Sequence, residues 1–213
     1  MDDETSRIIN SFHDLYYNGP PGDGLIFQRT FWMGVPCQKC PLDLWIYQEI
    51  LHEIRPDLVI ETGTAAGGSA LFMAHMMDLL GTGEIISIDI NPAVRPVHPR
   101  IRYVLGSSGD EALITSVIGG RPDEVRLVIL DSDHSQSHVE RELELLSSQV
   151  TVGSYLIVED TNINGHPTYP DFGPGPFEAV KDFLDSTTDF VLDPAREKFL
   201  MTFNPRGFLK RIK

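Results

Sequence analysis

The chain has 213 residues, 41% of them hydrophobic and 23% charged, which is the composition of a globular protein and not of a disordered or fibrous one. Seventeen lysines and arginines against 31 aspartates and glutamates leave a net charge of −14. That balance argues against binders of nucleic acid or of anionic membrane, which draw affinity from basic surface. No apolar run reaches the roughly 18 residues of a membrane span. The acidic start Asp2-Asp3-Glu4 is unlike a secretory signal, and two cysteines cannot build a disulfide framework, so a cytoplasmic protein is expected. Cys37-Gln38-Lys39-Cys40, between Pro36 and Pro41, lacks the second pair of a zinc ribbon. Inert thiols are the expectation there, with redox or metal chemistry as alternatives.

Taken in chain order, Ile8, Ile9, Phe12, Leu15 and Tyr16 have helical spacing, which Gly19-Pro20-Pro21-Gly22 ends. An aromatic-bearing irregular segment, 25–41, precedes a helix predicted over Pro41–Ile54. Strands are predicted at Leu58–Ile60, Glu84–Ile90, Ile101–Leu105, Val125–Leu130 and Tyr155–Val158. Helices are predicted over Ser69–Leu80 and along the stripe Val139, Leu143, Leu146 and Val150. Near-continuous apolar strands separated by amphipathic helices imply a parallel sheet covered on both faces. A Gly/Pro/Asn-rich loop follows at 161–176, then a helix over Phe177–Leu184. Phe190–Leu192 and Phe199–Phe203 are predicted to close the sheet, joined by the charged turn Asp193–Lys198. The fold class is α/β: one doubly wound, Rossmann-like domain over 1–213 with a seven-stranded, mostly parallel sheet. Residues 1–54 form an N-terminal cap.

The first strand runs into Glu61-Thr62-Gly63-Thr64-Ala65-Ala66-Gly67-Gly68-Ser69. Ligands of open α/β sheets bind beyond the carboxyl ends of the strands, and glycines there allow close backbone approach. Asp89, 28 residues after Glu61, ends the second strand, where a carboxylate can accept from a ribose diol. The spacing G-x-x-x-G-G is not the dinucleotide G-x-G-x-x-G. An acid before the first glycine repels a pyrophosphate and suits the cationic methionine end of S-adenosylmethionine. A ligand-free turn is the alternative.

Asp131-Ser132-Asp133-His134 ends the fourth strand and Glu159-Asp160 the fifth. Neighbouring strands lie about 4.8 Å apart, so these acids converge if the two strands are adjacent. Clustered carboxylates suit a hard divalent cation, Mg²⁺ first. Glu159 and Asp160 point oppositely along a strand, so both can ligate only if the chain bends there. His134 is a candidate base. The alternative is helix capping by strand-end acids. His138 is expected on helix surface, with a supporting role as alternative, His75 in packing and His98 in a loop. His166 in the 161–176 loop is a candidate substrate contact. Phe31 and Trp32 are expected either to close the pocket or to pack beneath the N-terminal segment. The 161–176 loop, with Tyr169, Asp171 and Phe172, is a candidate substrate lid.

These residues resemble the cephalosporin-hydroxylase-type family of class I methyltransferases, which includes macrolide and sugar O-methyltransferases of natural-product biosynthesis. The resemblance runs from about Phe31 to Arg211. It covers Trp32-Met33-Gly34, Glu61-Thr62-Gly63, Gly67-Gly68-Ser69-Ala70, Ser87-Ile88-Asp89, Gly106-Ser107-Ser108, the D-x-x-H of Asp131 to His134, and Tyr155 to Asp160. It implies a metal-dependent O-methyltransferase whose Mg²⁺ is held by Asp131, Glu159 and Asp160, with Asp131 and His134 catalytic and His134 the general base. S-adenosylmethionine would be lined by Glu61, Gly63, Thr64, Gly67, Gly68, Ser69, Asp89, Ser107, Ser108 and Asp131. The implied acceptor is a hydroxylated small molecule, with no nucleic acid or membrane partner, and the implied assembly a homo-oligomer. The sugar-tailoring members carry a larger region ahead of the part matching Phe31. Two alternatives remain open: a non-catalytic S-adenosylmethionine-binding accessory protein, and a metal-dependent hydroxylase or NAD oxidoreductase.

Overall fold

The structure, a computed structural model, describes residues 2–20, 22, 24–119 and 123–213. Helix α1 (Asp3–Asn18) starts at Asp2, whose carboxylate accepts from Thr5 N, and ends at Gly19. Pro21 of the expected stop lies outside the described residues. A two-stranded ribbon of β1 (Phe31–Trp32) and β2 (Val35–Pro36) leads to α2 (Pro41–Ile54), which has proline at its start where a missing N–H costs nothing.

The alternation then runs β3 (Leu58–Thr62), α3 (Gly68–Leu80), β4 (Glu84–Asp89), β5 (Ile101–Leu105), α4 (Glu111–Ile118), β6 (Arg126–Leu130), α5 (Gln136–Leu146), β7 (Tyr155–Val158), α6 (Pro176–Ser186), β8 (Phe190–Leu192) and β9 (Phe208–Arg211). The sheet order is β5-β4-β3-β6-β7-β9-β8, with β9 antiparallel to both β7 and β8. Leu58 and Ile60 pack under α4 and α5, while Val59 between them packs under α2 and α3. Burial on both faces is why these strands read as unbroken apolar runs. Strand order reverses between β3 and β6, which puts the end of β3 beside the end of β6 at the ligand-binding edge of such folds. Among the described residues no helix is long and apolar enough to cross a membrane.

Two expectations are corrected. The last strand is Phe208–Arg211, not Phe199–Phe203. Phe203 is buried against Tyr16, Tyr17 and Phe27, and its N–H goes to Asp43 Oδ2 at 2.8 Å, so aromatic packing under α1 holds it off the sheet. Helix α4 was not anticipated, although Asp110 caps it by accepting from Ala112 N and Leu113 N. Helix α1 buries only part of its stripe: His13 is inside, while Ile8, Phe12 and Leu15 are exposed.

Candidate active site

The end of β3 makes a polar floor. Glu61 is fully buried and accepts from Ser69 Oγ and Ser87 Oγ; burial raises its pKa, and both hydroxyls and the charge of Lys39 work against that rise. Thr64 Oγ1 lies 2.7 Å from Ser87 Oγ. The glycines are needed for close packing. A Cβ on Gly63 would stand 1.7 Å from the Asp131 carbonyl oxygen, and one on Gly68 2.3 Å from that of Pro36. Around Gly67 the neighbours are Tyr103, Pro96 and Arg95.

Beside this floor lies a cavity of about 270 Å³, to which Gly63, Asp89, Ser107, Ser108 and His138 contribute. Asp89 is held by Ala65 N and Asn91 N, each at 2.8 Å, and by Arg95 Nη2 at 3.2 Å. His138 is half-buried at this wall and not on open helix surface, because its Nε2 lies 3.1 Å from Ser108 Oγ. Its hydrogen bond and ion pairing with Glu142 raise its pKa. Of the other turn residues named from sequence, Glu61, Thr64 and Ser69 are buried behind the cavity, and Gly67 and Gly68 face protein.

Next to the cavity, β6 and β7 end side by side and bring their acids together. Asp131 is the first residue past β6, and Glu159 N donates to Leu130 O at 2.9 Å. Asp160 has φ of +54°, so the chain does turn there, and Asp160 N donates to Asn204 Oδ1 at 3.1 Å. Donor atoms of Asp131, His134 and Asp160 lie within 4.8 Å of one another, with His134 Nε2 3.3 Å from Asp160 Oδ2. Burial drives the Asp131 and Asp160 carboxyls upward, and each is opposed by a neighbouring cation. Burial pulls the His134 imidazole down, but Asp160 and Asp131 outweigh it and its pKa is raised. Two carboxylates turned to one point suit a hard cation, so the donor set fits Mg²⁺.

Glu159 is turned elsewhere. Its Oε1 accepts from Tyr47 Oη at 2.7 Å and its Oε2 pairs with Lys39 Nζ at 2.6 Å. Burial and the Asp131 charge push its carboxyl up to about 7 against the pull of Lys39. Lys39 and Tyr47 were missed from sequence: nothing local ties positions 39 and 47 to positions 131 and 159. Asp133 instead accepts from Ser135 N at 2.8 Å and supports the turn into α5.

The remaining candidates sort by contact. Trp32 Nε1 donates to His75 Nδ1 at 2.9 Å and the indole packs edge-on against Phe72, so Trp32 is seated on α3, while Phe31 is exposed. His98 Nε2 lies 3.1 Å from Asp78. His166 stacks on Phe177 and lies 2.9 Å from Glu178. Cys37 and Cys40 are buried free thiols pushed up to about 12 by burial.

A family model described as Rhamnosyl O-methyltransferase/CmcI matches residues 25–212. A rhamnosyl O-methyltransferase of Mycobacterium tuberculosis is 40% identical over 218 residues, covering 97% of this chain and 86% of that protein. That of Mycobacterium leprae is 41% identical, covering 97% and 92%. Among solved structures, CmcI with Mg and SAM aligns with a TM-score of 0.69 at 19% identity, covering 94% of this chain and 84% of that one. The MycE methyltransferase from the mycinamycin biosynthetic pathway, in complex with Mg and SAH, aligns with a TM-score of 0.58 at 19% identity, covering 78% and 48%. These last two likenesses speak to the fold. The chain belongs to the rhamnosyl O-methyltransferase/CmcI family and is an O-methyltransferase with the class I S-adenosylmethionine-dependent fold.

Proposed function

We propose that the protein transfers a methyl group from S-adenosylmethionine to a hydroxyl of a sugar, or of a sugar-bearing polyketide-type natural product, in a Mg²⁺-dependent reaction. The observation that carries this reading is the meeting of Asp131, His134 and Asp160 beside the cavity of Gly63, Asp89 and Ser108. The similarity to rhamnosyl O-methyltransferases over 97% of the chain supports a deoxysugar hydroxyl as acceptor.

Asp89 would accept from the ribose hydroxyls, and the Ser107–Ser108 edge and Gly63 would line the nucleoside. Glu61, Thr64, Gly67, Gly68 and Ser69 would shape the turn around the methionine end. Asp131 and Asp160 would hold Mg²⁺; Glu159, the third ligand that the family resemblance implies, would join them only by leaving Tyr47 and Lys39. A bound Mg²⁺ supplies Lewis-acid polarisation that lowers the pKa of an acceptor hydroxyl. His134, set by Asp160 and Asp131, takes the hydroxyl proton; the acceptor oxygen then forms its bond to the methyl carbon as the carbon–sulfur bond breaks. Two substrates fixed side by side supply much of the acceleration through orientation. The 161–176 loop would close over the acceptor.

The test is initial-rate methylation of deoxyhexose diols with Mg²⁺ and with excess EDTA. Asp131→Ala is expected to abolish turnover while S-adenosylmethionine binding persists. Undiminished turnover in EDTA would remove the metal from this account.

A further inference from the structure

The Cys37–Cys40 loop is held from several sides. Cys37 N donates to Thr30 O at 2.9 Å, the backbone of Pro36 and Cys37 lies on Gly68, and Cys40 is the residue ahead of α2. Gln38, with φ of +55°, turns the chain so that Lys39 points inward. Lys39 is 4% exposed, and its ammonium pairs with Asp131 Oδ2 and with Glu159 Oε2. Removing such a charge from water is costly unless close partners compensate it. Here both partners belong to the acidic set at the ends of β6 and β7.

We propose that Lys39 is a resident cation of the acidic site: it holds Asp131 and Glu159 together when no divalent ion is bound, and its charge limits how tightly a divalent ion is held. The proposal rests on the reading of Asp131 and Asp160 as a divalent-ion site. Lys39 is a positioning residue and has no contact with either substrate in this scheme. Replacing it by methionine keeps the apolar stem and leaves Asp131, Glu159 and Asp160 with no lysine between them. Two effects of opposite sign follow. The metal-free fold loses stability, because like charges then face one another under cover. A divalent ion binds more tightly, because a competing positive charge has gone. A lysine that only braced the fold would give the first effect without the second.

The experiment uses the full chain as wild type, Lys39→Met and Lys39→Arg. Thermal unfolding is followed in EDTA and in a MgCl₂ series, and Mg²⁺ alone is titrated by calorimetry. Lys39→Met is expected to unfold roughly 10 °C lower in EDTA and to recover in Mg²⁺. Its Mg²⁺ affinity is expected to rise about tenfold or more over wild type, with Lys39→Arg staying near wild type. Equal or weaker Mg²⁺ binding by folded Lys39→Met, where wild type binds the ion, overturns the proposal alone. If no form binds Mg²⁺, the proposal and the metal reading fail together. Should Lys39→Met not fold in any buffer, the double variant Lys39→Met/Glu159→Gln, which removes a carboxylate with the ammonium, is expected to fold in EDTA; its failure to do so also overturns the proposal.

Discussion

Gly63 lies directly against the backbone of Asp131. Its φ is +81°, and the place a Cβ would take is 1.7 Å from the Asp131 carbonyl oxygen and 2.9 Å from Ser132 Cα. Asp131 N in turn donates to Thr62 O at 3.1 Å, and Gly63 N donates to Ile88 O at 2.8 Å. One contact thus joins the turn beside the cavity to the first acid of the cluster. Gly63→Ala must adopt left-handed backbone and push β6 away, at a cost of roughly 2–5 kcal/mol. The variant is expected to melt well below wild type and to lose S-adenosylmethionine binding in calorimetry. Wild-type affinity would show that β3 and β6 can separate there without harm.

His134 provides a sharper test of chemistry. Its imidazole is turned to Asp160 at 3.3 Å, and the flanking carboxylates outweigh the effect of burial. His134→Ala is expected to lower kcat by about 10²- to 10⁴-fold, the usual contribution of a positioned base, with little change in cofactor affinity. A loss below tenfold would assign the proton to another group.

The 161–176 loop is fastened through Glu178 at the start of α6. Its carboxylate accepts from Gly175 N at 2.8 Å and Asn164 Nδ2 at 3.0 Å, and lies 2.9 Å from His166 Nε2. Glu178→Ala removes all three contacts. Backbone amides of 164–175 are expected to exchange faster, and the KM for the acceptor to rise more than that for S-adenosylmethionine. Equal effects on both would argue against the loop covering the acceptor.

Stability should fall in weak acid through His13. The ring is buried, stacks on Phe203 and lies 3.0 Å from Asn162 Nδ2. Burial lowers its pKa from 6.5 to about 4. Above pH 6.5 neither state carries the proton and His13 adds no pH dependence. Between about 6.5 and about 4 the unfolded chain binds a proton that the folded one refuses, so stability drops as pH falls. His13→Phe keeps an aromatic ring against Phe203 and loses the titration. Its melting temperature is expected to fall less than that of wild type between pH 7 and pH 4.5. Parallel slopes would contradict the assignment.

The sheet was legible from sequence because its order is written in local apolar runs: Ile101–Leu105 and Tyr155–Val158 occur with the predicted ends. Phe199–Phe203 misled because an aromatic stretch has the same composition whether it pairs in a sheet or packs under a helix. Only the distant partners Tyr16, Tyr17 and Asp43 decide between the two. Asp131 and Glu159 could be brought near one another from sequence only on the condition that their strands are neighbours, and β6 and β7 do pair. The chain bends at Asp160, the condition under which two successive acids could face one way, yet Glu159 stays with Tyr47 and Lys39. Lys39 was not legible. Its partners lie far along the chain, and the two cysteines flanking it draw attention to thiol chemistry instead.

Metal-assisted methyl transfer to a sugar hydroxyl is tested most directly by mass spectrometry of a deoxyhexoside diol incubated with enzyme, S-adenosylmethionine and Mg²⁺. The expected product is heavier by one methylene, formed with Mg²⁺, suppressed by EDTA and lost in His134→Ala. An unmodified acceptor panel from protein that binds both S-adenosylmethionine and Mg²⁺ would contradict it.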